Sequence, residues 1–151
     1  MGEQMASTRA LLLGRRTYDI FASYWPAHES DWPGINAATK YVVSSTRPDR
    51  PWDNTVVIKL EEIRRLKQQD GPDLQVHGSS QLLQALFKHD LVDKLWLKIF
   101  PLTLGTGKRL FREGSAIAAA FRLTHSETTP KGVVFASYER AGDVKTGSFG
   151  D

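Results

Sequence analysis

The chain has 151 residues, 40% of them hydrophobic and 25% charged, the make-up of one globular domain with one core and no room for a second. It contains no cysteine, which excludes disulfides, zinc-thiolate sites and thiol catalysis. The 20 Lys and Arg outnumber the 17 Asp and Glu by three, but Arg15-Arg16, Arg47, Arg50, Arg64-Arg65-Lys67 and Lys108-Arg109 are scattered among acids, without the basic face of a nucleic-acid binder.

Ala10-Leu11-Leu12-Leu13-Gly14 is a short apolar run closed by glycine, the pattern of a strand buried on both faces. A helical pattern follows from Arg15 to Phe21, and Tyr24-Trp25-Pro26 stops it because proline cannot continue a helix. Residues 27–39 read as a loop or loose helix. Two β-branched runs, 40–44 and 55–58, flank the turn-rich Pro48-Asp49-Arg50-Pro51. Leu60, Ile63 and Leu66 recur at helical spacing, with Glu61-Glu62 ahead and Arg64, Arg65 and Lys67 behind, in keeping with the helix dipole. A strand over 74–77 then leads through Gly78-Ser79-Ser80 into a helix carrying Leu82, Leu83, Leu86 and Phe87 on one side. Residues 94–100 alternate as a strand that Pro101 closes, and strands 121–126 and 133–138 form a hairpin around Thr129-Pro130-Lys131-Gly132. Gly142 to Asp151 has too few apolar residues to hold itself down and predicts a flexible tail. Parallel βα units followed by an antiparallel hairpin predict an α/β sheet covered on both faces.

Ligands of open parallel sheets sit beyond the carboxyl ends of the strands. Three such segments offer hydroxyls, helix-start amides or guanidinium groups: Gly14-Arg15-Arg16-Thr17, Ser44-Ser45-Thr46-Arg47 and Gly78-Ser79-Ser80-Gln81. These are the groups that bind phosphate. Each also has a plain structural reading: Ser79 or Ser80 as a helix cap, Ser44-Ser45 as a turn, the arginines as solvated surface. Their convergence on one sheet edge favours a dinucleotide, with a pyrophosphate at the Gly78 turn and a 2′-phosphate beside arginine and hydroxyls, hence NADPH over NADH. No G-x-G-x-x-G occurs, and Gly105-Thr106-Gly107 opens no helix pattern. His28, His77, His89 and His125 lack metal-ligand spacing, so no metal site is expected. Asp90 and Asp93 read as turn residues, and Trp25 and Trp96 as core or interface residues.

Leu11 to Tyr18 resembles the G-R-x-T-aromatic motif of dihydrofolate reductases. Val76-His77-Gly78-Ser79-Ser80-Gln81-Leu82, with Leu91 to Leu97 and Pro101 to Phe111, is more similar to the reductase domain of bifunctional riboflavin-biosynthesis proteins and their stand-alone bacterial relatives. The resemblance spans roughly residues 9–140. It implies a three-layer dihydrofolate-reductase-like fold with a mostly parallel central sheet and the C-terminal hairpin. It assigns Gly14, Arg15, Arg16 and Thr17 to the NADPH phosphates, Ser44, Ser45 and Thr46 to the adenosine ribose, and Gly78, Ser79, Ser80, Gln81 and Leu82 to the pyrophosphate and nicotinamide ribose. Leu104, Gly105 and Thr106 fall toward the substrate. Gly78-Ser79 stands where classical dihydrofolate reductases have a glycine pair, which favours the riboflavin-type branch over folate.

The function implied is an NADPH-dependent reductase transferring hydride to a C=N or C=O group of a small heterocyclic or sugar-linked substrate. The alternative is a non-catalytic NADPH-binding protein. No catalytic residue is assigned. No apolar run approaches the ~18 residues of a membrane span, and Met1-Gly2-Glu3-Gln4 has no signal-peptide order; a cytoplasmic protein engaging neither membrane nor nucleic acid is expected. The relatives commonly pair, and Trp25, Trp32 and Trp96 exceed what a small core buries, so a homodimer is expected. The resemblance also implies a strand before Ala10, for which the preceding residues are too few at ~3.3 Å each. The expected strand order is therefore 55–58, 41–44, 10–13, 74–77, a vacancy, 94–100, 133–138, 121–126. The vacancy would be filled by residues upstream of Met1, by another chain, or by direct pairing of 74–77 with 94–100.

Overall fold

A computed structural model of the protein describes residues 10–114 and 116–147. The chain divides into two compact units on either side of the Leu83–Gln84 bond.

The first unit is built on a parallel sheet. Strand β1 (Ala10–Gly14) is buried along its apolar run, and helix α1 (Arg15–Tyr24) begins on the next residue. Two 3-10 turns, Trp25–Ala27 and Glu29–Asp31, follow where Pro26 prevents the helix from continuing. Strands β2 (Lys40–Val43) and β3 (Thr55–Ile58), helix α2 (Glu62–Lys67) and strand β4 (Leu74–Gln75) complete the sheet in the order β3-β2-β1-β4. All three ladders are parallel, with Leu11 opposite Lys40 on one side and Gln75 on the other. From β1 the chain moves through β2 to β3 in one direction, then returns to place β4 on the far side of β1. The connection order reverses between β1 and β4, the topological switch point where a crevice opens beyond the strand ends. Leu11, Leu13, Tyr18, Ala22, Trp32, Ile35, Val42 and Trp52 form the core of this unit, with Phe21 and Trp25 packed against it.

Helix α3 (Ser80–Lys88) starts in the first unit and ends in the second. There β5 (Lys94–Ile99), β6 (Phe121–Thr128) and β7 (Val134–Arg140) form an antiparallel sheet ordered β5-β7-β6. The expected order of strands holds within each sheet. The ladders stop at the anticipated vacancy, so direct pairing of 74–77 with 94–100 is not found among the described residues. Residues 1–9, on which the expectation of a missing strand turns, lie outside the described residues, as do 148–151 of the expected tail.

Several element bounds are corrected. β4 stops at Gln75 because Gly78 and Ser79 turn into the left-handed region, with φ of 62° and 50°. β5 ends at Ile99, ahead of Phe100-Pro101. The hairpin strands run longer than expected, to Thr128 and Arg140, since Arg140 pairs with Phe121 and Val134 with Thr128.

Candidate functional site

Gly14 and Ser79 end the βα turns on either side of the switch point, and hydrogen bonds lock the two turns together. The Gly14 amide donates to Ser79 Oγ at 3.0 Å, and the Ser79 amide donates to Thr17 Oγ1 at 3.0 Å. Ser79 Oγ itself lies 3.4 Å from the His77 carbonyl, to which it donates. Through its hydroxyl Ser79 thus ties the start of α3 to the start of α1. Its carbonyl serves the helix, accepting from the Leu83 amide at 2.9 Å. A Cβ on Gly14 would meet Ser79 Cβ at 3.6 Å, an ordinary van der Waals contact, so the close approach of the two turns leaves room for no more than a small side chain there.

The starts of α1 and α3 therefore lie side by side. The first-turn amides of each have no acceptor inside the helix, and both dipoles present their positive ends. The α1 start has Arg15 and Arg16 in its first turn, no acid there and no side-chain cap. Cations at a helix N-terminus are disfavoured by roughly 0.3–1 kcal/mol each. An anion seated there would reverse that sign, a combination that suits phosphate.

The two arginines differ. Arg15 Nε sits 3.2 Å from both carboxylate oxygens of Asp19; Nη1 donates to Thr46 Oγ1 at 3.2 Å and to the Arg47 carbonyl at 3.3 Å; Nη2 faces Asp49 at 3.4 Å. Arg16 is exposed and has no hydrogen bond or ion pair among the described residues. Arg15 thereby joins the segment after β2 to that after β1. Within the former, the Thr46 amide donates to Ser44 Oγ at 3.2 Å, and Ser45 is exposed. The aromatic residue of the motif, Tyr18, is buried; its hydroxyl donates to the Arg50 carbonyl at 3.0 Å and lies 3.1 Å from Thr55 Oγ1. The G-R-R-T-Y run thus fixes the segment after β2 at both ends.

Segments 14–17, 44–47 and 78–82 are brought to one edge of one sheet. Leu104, Gly105 and Thr106 belong to an exposed loop of the second unit. In that unit an apolar hollow is lined by Phe87, Val92, Phe111, Ile117 and Phe121; its carboxylate, Asp90, is held by Arg140 at 2.8 Å.

One buried ion escaped the sequence reading. Lys40, fully buried at the start of β2, donates to the carbonyls of Ile35 and Asn36 at 3.1 and 2.7 Å and lies 4.4 Å from the Trp52 ring centre. Burial lowers its pKa to about 8, against the opposing pull of Asp53 and Glu29. The only sequence signal is a lysine opening an otherwise apolar strand.

The family model for the RibD C-terminal domain matches residues 1–135. The chain belongs to the RibD C-terminal domain family. Its curated relatives include two Bacillus subtilis proteins described as uncharacterized: YyaP, 32% identical over 67% of this chain, and YwjB, 29% identical over 68%. The chain spans 58% of the length of each. Among solved structures, a putative riboflavin biosynthesis protein from a Shewanella species is similar with a TM-score of 0.69 and 26% identity, over 92% of this chain and 77% of the other. A pyrimidine reductase-like protein from Corynebacterium diphtheriae (TM-score 0.59, 13% identity, 90% and 77% coverage) shares the fold. So does a dihydrofolate reductase from Enterococcus faecalis (0.60, 16%, 91% and 77%), solved with NADP(H) and RAB-propyl. The α/β fold is of the dihydrofolate-reductase type, shared with both of these neighbours.

Proposed function

We propose that this chain forms the dinucleotide-binding part of an NADPH-dependent reductase acting on a small heterocyclic or sugar-linked substrate. The observation that carries the reading is the pair of helix starts joined by Ser79 at the switch point, with unneutralised Arg16 beside them. The residues present fit a dinucleotide: first-turn amides of α1 and α3 for the pyrophosphate, and the hydroxyls of Ser44, Ser45 and Thr46 with nearby guanidinium groups for a phosphorylated ribose. Bound NADPH would supply the hydride. The chain's own part is to hold and orient the cofactor through Gly14, Arg16, Thr17 and residues 78–82. The NADP(H) of the Enterococcus faecalis neighbour supports the cofactor class. The reading includes a homodimer in the cytoplasm, and no helix among the described residues is long and apolar enough to cross a membrane.

Titration by cofactor fluorescence tests the proposal. NADPH is expected to bind more tightly than NADH, and Arg16→Ala to weaken both roughly tenfold, the loss of one charge-assisted contact. Equal affinity of the unmodified protein for the two cofactors would sink the 2′-phosphate assignment.

A further inference from the structure

Residues 26–38 lead from the end of α1 to β2 without a place in the sheet. Their backbone hydrogen bonds are local: His28, Asp31, Trp32 and Ile35 each donate to the third residue back, and Ala38 donates to Gly34. Side chains make the other attachments. Asn36 Nδ2 donates to Glu29 Oε2 at 3.0 Å and to the Pro26 carbonyl at 3.4 Å, and Asn36 Oδ1 accepts from Trp52 Nε1 at 2.7 Å. Asn54 Nδ2 donates to the Asn36 and Ala37 carbonyls at 3.2 and 3.3 Å. The Lys40 ammonium draws in the Ile35 and Asn36 carbonyls, with the Trp52 ring against it. Its cage is therefore made of carbonyls and a ring. The charges that face it are Glu29, on the segment, and Asp53, beside Trp52. Asp31 is exposed, and Tyr18, packed on Trp52, engages Arg50 and Thr55 through its hydroxyl.

Between these attachments the segment carries Trp32, buried and edge-on to the His77 ring with centroids 5.1 Å apart. The His77 carbonyl accepts from Ser79 Oγ, the same atom that receives the Gly14 amide. Contact thus runs from the segment to the lock between the two helix starts.

We propose that residues 26–38 form a proton-linked flap, shut by the burial of Lys40 and braced through Trp32 against the Gly78 turn, so that opening the flap takes up a proton and frees the turn. Linkage sets the sign. Shut, the ammonium is stripped of water and its pKa is about 8; open, it regains water and the ordinary 10.5. As pH rises between these values, the opening equilibrium falls about tenfold per pH unit. Below pH 8 both forms are charged, and the burial cost of the ion keeps the flap poised to open. Carboxylates do not titrate in this range. The device does not depend on what the turn holds.

The test is amide hydrogen exchange of the full chain and Lys40→Met, without ligand, from pH 7 to 9.5, where each mass envelope shifts as one population. Protection at Trp32, Ile35 and Ala38, relative to unstructured peptide, should rise by at least about tenfold in the unmodified protein and stay level in Lys40→Met. The Ser79 and Gly14 amides should follow the flap. Should Lys40→Met not fold, the amides of α2 serve as the level reference in the same molecule. Protection at the flap that is independent of pH overturns the proton linkage. Protection there equal to that of Leu12 and Leu13 in β1 overturns the flap, since the segment would then open only with the whole fold. Level protection at Ser79 and Gly14, with a rise at Trp32, overturns the brace.

Discussion

Ser79 combines a left-handed backbone, φ 50°, with two long-range hydrogen bonds, and the sequence showed neither. A serine after glycine at a helix start reads locally as a cap, whereas its partners are 65 and 62 residues away. Ser79→Ala removes the acceptor of the Gly14 amide while keeping the strained φ, so a loss of about 1–3 kcal/mol is expected, measured by urea unfolding; an unchanged midpoint would contradict the lock. Lys40 was equally illegible, because its acceptors are carbonyls that only the folded loop supplies. Its pKa of about 8 lies below the ordinary 10.5, so between these values the unfolded chain binds more protons and stability rises with pH. The burial cost of the ion is fully present below pH 8 and fades toward pH 10.5. The stability of the wild type relative to Lys40→Met should therefore increase between pH 7 and pH 9.5 in paired urea titrations. A difference constant with pH would show that the ion is not desolvated.

At the scale of elements, apolar continuity was the reliable signal. Ala10-Leu11-Leu12-Leu13 could only be a strand covered on both faces, and β1 is the buried strand that β2 and β4 flank. The length of β4 was not readable, since Val76 and His77 look like strand residues. His77 instead packs its ring against Trp32, centroids 5.1 Å apart, as the chain enters the Gly78 turn. The segments of the candidate site were legible by their position after strands, but which arginine is committed to neighbours was not, because Asp19 and Asp49 had no visible relation to Arg15. In the second unit the turn role expected for Asp90 holds. Its φ is 51° and its carboxylate takes both Nε and Nη2 of Arg140, at 2.8 and 3.3 Å, which joins the end of α3 to the end of β7. Asp90→Ala and Arg140→Ala should each lower the thermal midpoint, and the double variant should fall no further than the worse single one, the mark of a coupled pair. Additive losses would show that the two act separately.

For the molecule as a whole, strand order within each sheet and the break between 74–77 and 94–100 followed from the resemblance and not from any local pattern. The second unit exposes Trp96, Ile99, Phe100, Leu102, Phe111 and Leu123, each at least 39% accessible, more apolar surface than its small sheet covers. This fits the proposed homodimer. Light scattering at micromolar concentration should give about twice the chain mass of 16.9 kDa, and a value equal to the chain mass would rule the pairing out. In the proposed function the joined starts of α1 and α3 cradle the phosphates of NADPH. Amide hydrogen exchange with and without NADPH tests it most directly. Slowed exchange is expected, concentrated at residues 14–17, 44–47 and 78–82. Unchanged exchange at 14–17 and 78–82 under saturating NADPH would contradict it.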